Sequence, residues 1–144
     1  MTLQEGISHT VDTPIKTPIG TAWMDADGIL WHRMDDGVSV SGSLAQRTAE
    51  VIGELLDGRA APAIVDITDI RFADGEAREV FARLGSATPE VATAILVRSQ
   101  ENPVPGILLD FFSKLDADRP IQFFDSEDAA VAWARSFIDD APAE

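Results

Sequence analysis

The run Ala63-Ile64-Val65-Asp66-Ile67, with the loop Thr68 to Ala73 and the step Asp74-Gly75 behind it, sets the plan of the chain. Its first five residues are short, mostly apolar and β-branched, the pattern of a central strand covered on both faces. Asp74 can cap a helix in which Ala77, Val80, Phe81 and Leu84 repeat at i, i+3, i+4 and i+7. A buried strand leading into an amphipathic helix calls for a parallel neighbour, reached by a right-handed crossover.

On the N-terminal side, period-two segments around Thr21 to Asp25 and Ile29 to Arg33 flank Asp27-Gly28, a dipeptide favoured in tight turns, which predicts an antiparallel hairpin. The turn Asp35-Asp36-Gly37 leads through Val38 and Val40 to Ser43-Leu44-Ala45-Gln46, a capping-box pattern that places a helix start at Ser43. Leu44, Thr48, Val51, Ile52, Leu55 and Leu56 share one face of that helix, and Gly58 supplies its left-handed stop.

On the C-terminal side, Val91 to Val97 reads as another buried strand. Asn102-Pro103-Val104-Pro105 opens a third helix carrying Ile107, Leu108, Phe111, Phe112 and Leu115, and Ile121 to Phe124 is a final strand. Asp125-Ser126 caps a fourth helix with Ala130, Trp133, Ala134, Phe137 and Ile138 on its inner face. The order ββαβαβαβα describes a single α/β domain with a mixed, mainly parallel β-sheet, an N-terminal β-hairpin and about four helices. Residues 1–19, interrupted by Pro14 and Pro18, are expected to form an extended arm or lead-in, residues 20–139 the domain and residues 140–144 a frayed tail.

Composition narrows the partners. The 144 residues are 45% hydrophobic and 25% charged, enough to build one core. The net charge of −14 is spread along the chain and repels phosphate backbones and anionic headgroups, so neither nucleic acid nor an anionic membrane is an expected partner. The absence of Cys removes disulfides, thiolate metal sites and cysteine nucleophiles. The first residues lack a basic segment followed by an apolar one, and no run of about 18 apolar residues occurs, so the expectation is a cytoplasmic protein with no membrane span.

Catalytic signatures are sparse. Neither GxGxxG nor GxxxxGK[ST] occurs, there is no GxSxG elbow, and the only histidines are His9 and His32. His32, between Trp31 and Arg33, reads as a surface or half-buried structural residue. Asp25-Ala26-Asp27-Gly28 echoes the start of a calcium loop but lacks the later oxygen ligands, so a hairpin turn is the better reading. Asp35-Asp36 and Asp116-Ala117-Asp118 read as solvated turns. Ser39, Ser41, Gly42 and Ser43 precede a helix start, where an anion can sit, but capping by Ser43 accounts for them. No metal and no cofactor is expected. The Trp23, Trp31 and Trp133 set reads as packing. Ile107, Leu108, Phe111 and Phe112 form a face wider than one sheet contact needs, which leaves room for a partner or a small apolar ligand.

Val65-Asp66-Ile67-Thr68-Asp69-Ile70-Arg71-Phe72-Ala73-Asp74-Gly75 resembles the signature of STAS domains, the superfamily of anti-sigma-factor antagonists and stressosome scaffolds. There a central strand ends in Asp-(Leu/Ile)-(Ser/Thr), and a loop leads to Asp-Ser or Asp-Thr at a helix start. Asp66, Ile67, Thr68, Ile70 and Asp74 match that spacing, and the element order matches from about Gly20 to Asp139. The end of the chain, from Phe123 to Trp133, is also similar to that of small bacterial STAS-like proteins. The resemblance implies a switch in which a kinase phosphorylates the hydroxyl beside the Asp and breaks a partner complex. Here that position is Gly75, which has no hydroxyl; Thr68 is a substitute acceptor or, more simply, a polar cap at the strand end.

Three functions follow as expectations. The first is a non-enzymatic regulatory module that meets a protein partner, or a second copy as a homodimer, through Asp66, Thr68, Asp69, Asp74, Gly75 and Glu76. The second is a small apolar ligand- or lipid-binding domain using Ile107, Leu108, Phe111 and Phe112. The third is an acid/base enzyme built on Asp66 and Asp74. Asp66, Asp69, Asp74, Glu76 and Glu79 together suggest a constitutively acidic surface where the superfamily has a switchable one.

Overall fold

In a computed structural model, residues 14–82, 90–99, 101–103, 105–106 and 120–139 are described. Strands Ile15–Thr17 (β1), Gly20–Met24 (β2), Leu30–Met34 (β3), Ala61–Asp66 (β5), Glu90–Leu96 (β7) and Ile121–Phe124 (β8) form one sheet in the order β1-β2-β3-β5-β7-β8. The first three strands are antiparallel and the rest run parallel. Ser39–Val40 (β4) and Phe72–Ala73 (β6) make a separate two-stranded parallel ribbon. The helices among the described residues are Gly42–Leu56 (α1), Gly75–Ala82 (α2) and Glu127–Asp139 (α3).

Strand alternation sends successive side chains to opposite sheet faces. Leu30 and Met34 of β3 and Ala63 of β5 join the clusters packed under α1 and α2, with Ala45, Ile52, Leu56, Ala77 and Val80. Trp31, Ile64, Ala94 and Leu96 face the other way, under Ala130 and Ala134 of α3. Alanines at the helix contacts let α3 approach closely, and Trp133 fills the space beside them with Phe124 and Phe137 at ring separations of 5.6 and 4.8 Å.

The predicted hairpin is β2–β3, with Trp23 opposite Trp31 and the two indoles stacked at 5.8 Å. Asp25 organises its turn: Oδ1 accepts from the Asp27 and Ile29 amides at 2.8 and 3.0 Å, and Oδ2 from Trp31 Nε1 at 2.7 Å. These bonds are those of a side-chain-stabilised turn. Arg135 of α3 then holds Asp27 through Nε at 3.1 Å.

Several expectations are corrected. The lead-in contributes β1, tied to β2 through the two residues Pro18 and Ile19, so the hairpin is the second and third strand of the sheet rather than the first and second. Ser41, not Ser43, caps α1: its backbone is extended (φ −92°, ψ 168°) and its Oγ accepts from the Leu44 amide at 3.3 Å. The capping hydroxyl belongs to the residue just before the helix and accepts from an amide of its first turn, and the helix begins at Gly42, which puts Ser43 inside that turn. The buried stripe of α1 runs through Ala45, Thr48, Ala49, Ile52 and Leu56, leaving Leu44, Val51 and Leu55 half-buried on its flanks. Thr48 tolerates burial because its hydroxyl donates to the Leu44 carbonyl at 2.8 Å. Val91, at the start of β7, is exposed rather than buried. Of the helix expected from Asn102 onward, Asn102 and Pro103 are described and not helical, Pro105 and Gly106 are helical, and Ile107, Leu108, Phe111 and Phe112 lie outside the described residues.

His32 is not on the surface. It lies buried on β3, with Nε2 3.0 Å from the hydroxyl of Thr17 on β1. Burial lowers its pKa from 6.5 to about 4, against the opposing attraction of Asp35. Between those values the unfolded chain binds the proton and the folded chain does not, so stability is complete above pH 6.5 and falls as the pH drops toward 4. Urea unfolding at pH 7 and pH 5 is expected to show that wild type loses about 2 kcal/mol more than His32→Gln over this interval. An identical acid loss in the two proteins would mean that His32 titrates as an ordinary surface histidine.

Candidate interaction site

The carboxyl ends of the parallel strands gather the residues singled out by the sequence. Register places Arg33 of β3, Asp66 of β5, Leu96 of β7 and Phe124 of β8 in one row on the α3 side of the sheet. Asp66 is 2% exposed and fully engaged. Its Oδ1 accepts from the Thr68 amide at 3.0 Å and the Thr68 hydroxyl at 2.7 Å. Its Oδ2 takes Arg98 Nε at 2.8 Å and lies 3.3 Å from Arg33 Nε. A buried carboxylate is sustained only by such charged and hydrogen-bonded partners. Arg33 also lies 5.8 Å over the Trp23 ring and 3.9 Å from Glu127 at the start of α3.

Thr68 extends the network. Buried like Asp66, its hydroxyl also accepts from the Arg98 amide at 2.8 Å, which joins β5 to the segment after β7. Asn102 Nδ2 then donates to the carbonyls of Thr68 and Ile70 at 3.2 and 2.6 Å. On the other side of the loop, the Gly37 amide reaches the Asp69 carbonyl, the Arg71 amide reaches Val38 and the Asp74 amide reaches Val40, at 2.8, 2.8 and 3.1 Å. The segment from Thr68 to Asp74 is therefore pinned from both sides, with Ile67, Ile70 and Ala73 sunk in the core below it.

Asp74 is half-buried and caps α2, accepting from the Ala77 amide at 2.7 Å. Asp69, Gly75 and Glu76 face solvent. Glu76 also leans over the first turn of α1: a Cβ at residue 42 would overlap its carboxylate, so Gly42 is what lets it approach. The helix start between Ser39 and Ser43, weighed as an anion site, is capped by Ser41, with the Glu76 carboxylate lying beside Gly42. Among the described residues no three His, Asp or Glu side chains are arranged to hold a metal ion.

Gly75 is the first residue of α2, and a Cβ there meets only Arg78 Nη2 at 3.7 Å, an ordinary contact. The position therefore admits a Cβ without a clash. Gly75→Ser is expected to fold normally and to gain about 0.5 kcal/mol by restricting the unfolded chain, read as a rise of about 2 °C in the thermal midpoint. A fall in the midpoint would show that the loop needs glycine.

Sequence reasoning missed Arg33, Arg98 and Asn102, and it did not foresee Phe72. Arg33 and Asp66 are both charged residues in apolar strands, and their alternation places each on a definite face, but only register sets them opposite each other. Arg98 lies 32 residues beyond Asp66 and carries no local signal. Phe72 stands 56% exposed where an aromatic residue is ordinarily expected inside.

A family model described as a domain of unknown function (DUF7793) matches residues 22–138. No significant match is found among curated proteins. The fold is similar to that of an uncharacterised protein of the DUF3478 family from Shewanella loihica, described as SpoIIAA-like, at 15% identity and a TM-score of 0.53, covering 86% of this chain and 91% of the other. The STAS-like fold expected from the Asp66 to Gly75 segment is thus the observed one. Among the described residues no helix is long and apolar enough to cross a membrane.

Proposed function

The chain belongs to the DUF7793 family of domains of unknown function, and from its STAS-like architecture we propose that it is a non-enzymatic interaction module, meeting a protein partner through the loop Thr68 to Gly75 and the first turn of α2. The observation that carries this reading is the division of labour in the loop. Asp66, Thr68 and Asp74, the groups with most chemical potential, are committed to holding its backbone. Asp69 and Phe72 are exposed on it, and Glu76 is exposed on the first turn of α2, beside Gly42 of α1. Rigid presentation of a surface lowers the ordering cost of association, whereas an acid/base reaction needs a carboxylate within reach of substrate. With Gly75 at the acceptor position, the acidity of this surface is permanent, and binding is set by the abundance and charge of the partner.

The immobilised full chain, and a variant carrying Asp69→Lys and Glu76→Lys, can be compared for proteins retained from native lysate, alongside sedimentation velocity at micromolar concentration. A polypeptide retained by wild type and lost by the variant is the expected result. A strict monomer retaining nothing that distinguishes the two would overturn the reading.

A further inference from the structure

We infer that Phe72 is the anchor of a heterologous interface, and that its partner is a different protein offering an apolar pocket rimmed by Lys or Arg rather than a second copy of this chain. The inference rests on the interaction reading above and goes beyond it by naming the anchor and the chemistry of the partner. Among the described residues only Phe72 and Val91 are large apolar side chains left exposed. Val91 opens a strand, but Phe72 lies on the β4–β6 ribbon directly opposite Ser39. The ribbon needs no aromatic there, because Val40 and Ala73 supply its core contacts.

Rigidity separates Phe72 from an incidental surface residue. Its chain neighbours are fixed by the Arg71 to Val38 and Asp74 to Val40 backbone bonds, and Asn102 holds the carbonyl of Ile70. An aromatic ring on a fixed backbone loses little freedom when it is buried by a partner, which is the physical profile of an interface hot spot. The charge around it identifies what covers it. On the ribbon, its turn and α2 the exposed carboxylates of Asp36, Asp69, Glu76 and Glu79, with Asp35 paired to Lys16 and Asp74 capping α2, stand against the guanidiniums of Arg71 and Arg78. A symmetric second copy would set these carboxylates against one another, and the chain as a whole carries −14. A basic rim around an apolar pocket satisfies both the ring and its surroundings.

The experiment introduces a photo-crosslinking phenylalanine analogue at position 72, at Glu76 and, as a control, at Glu50 on the exposed side of α1, in the native host. Crosslinked peptides are identified by mass spectrometry. The expected result is an adduct at 72, absent at 50, joining a different polypeptide at an apolar residue flanked by Lys or Arg. With that polypeptide purified, Phe72→Ser is expected to weaken binding by about 30-fold or more. Phe72→Tyr should stay close to wild type, and both variants should keep the wild-type melting temperature because the ring is exposed. An adduct at 76 but not at 72 leaves the interaction reading standing and overturns the anchor. Adducts at neither position overturn both. A self-adduct at 72, a contact lacking basic residues, or unchanged affinity of Phe72→Ser overturns the assignment of anchor and partner.

Discussion

Gly20→Ala is expected to lower stability by about 3 kcal/mol, seen as a fall of about 10 °C in the thermal midpoint. Gly20 sits where β2 faces β1 and β3 at once, opposite Thr17 on one side and Met34 on the other. A Cβ there would overlap the Arg33 carbonyl oxygen and approach the Met34 Cα to 2.9 Å. These are backbone atoms, so no rotamer change relieves the contact, and one strand must move. Movement is resisted because the Asp35 amide donates to the Ile19 carbonyl at 2.9 Å and the Ile19 side chain is fully buried. Gly75→Ala is the matched control, because its Cβ would make only an ordinary contact with Arg78. Equal midpoints for Gly20→Ala and wild type would show that β2 and β3 are further apart than described.

Asp66→Asn should be nearly as damaging as Asp66→Ala, each costing about 3 kcal/mol in urea unfolding. Every hydrogen-bond partner of Asp66 is a donor, the Thr68 amide and hydroxyl on one oxygen and Arg98 Nε on the other, and the Arg33 guanidinium forms an ion pair with that second oxygen. An amide of the same shape can satisfy one side only, and its NH2 then faces donors on the other. Arg33 and Arg98 are each more than two-fifths exposed and can turn to water once the carboxylate is gone, which keeps the loss below that of a fully enclosed pair. Arg98→Ala is the informative companion, because it leaves a buried carboxylate with less compensation. An Asp66→Asn protein as stable as wild type would mean that Asp66 works by shape rather than charge.

The fold was largely legible because its elements follow local rules. The apolar run before Asp66, the cap at Asp74 and the hairpin turn at Asp27-Gly28 each follow from a few adjacent residues, and each is found in place. Where competing caps lie two residues apart, as at Ser41 and Ser43, the pattern does not say which hydroxyl is in register with the first free amide. The site was legible in outline and not in mechanism. Asp66 and Thr68 announce themselves in a strand-end motif, but their role depends on Arg33, Arg98 and Asn102, which only the sheet order brings near. Phe72 reads as a core residue by composition, and its exposure is decided by the ribbon pairing with β4, a contact 33 residues apart that no periodicity encodes.

The short first strand also governs how the molecule behaves among copies of itself. An open sheet edge is a template for further strands, and proteins limit it with brief strands, proline and charge. Among the described residues β1 is an edge strand; it is three residues long, lies between Pro14 and Pro18 and carries the exposed Lys16. Behind it lies the longer β2, with Trp23 stacked on its neighbour, a far better nucleus for aggregation. The neutral imidazole of His32, beside Thr17, therefore does more than fill the core: it keeps a poor template in front of a good one.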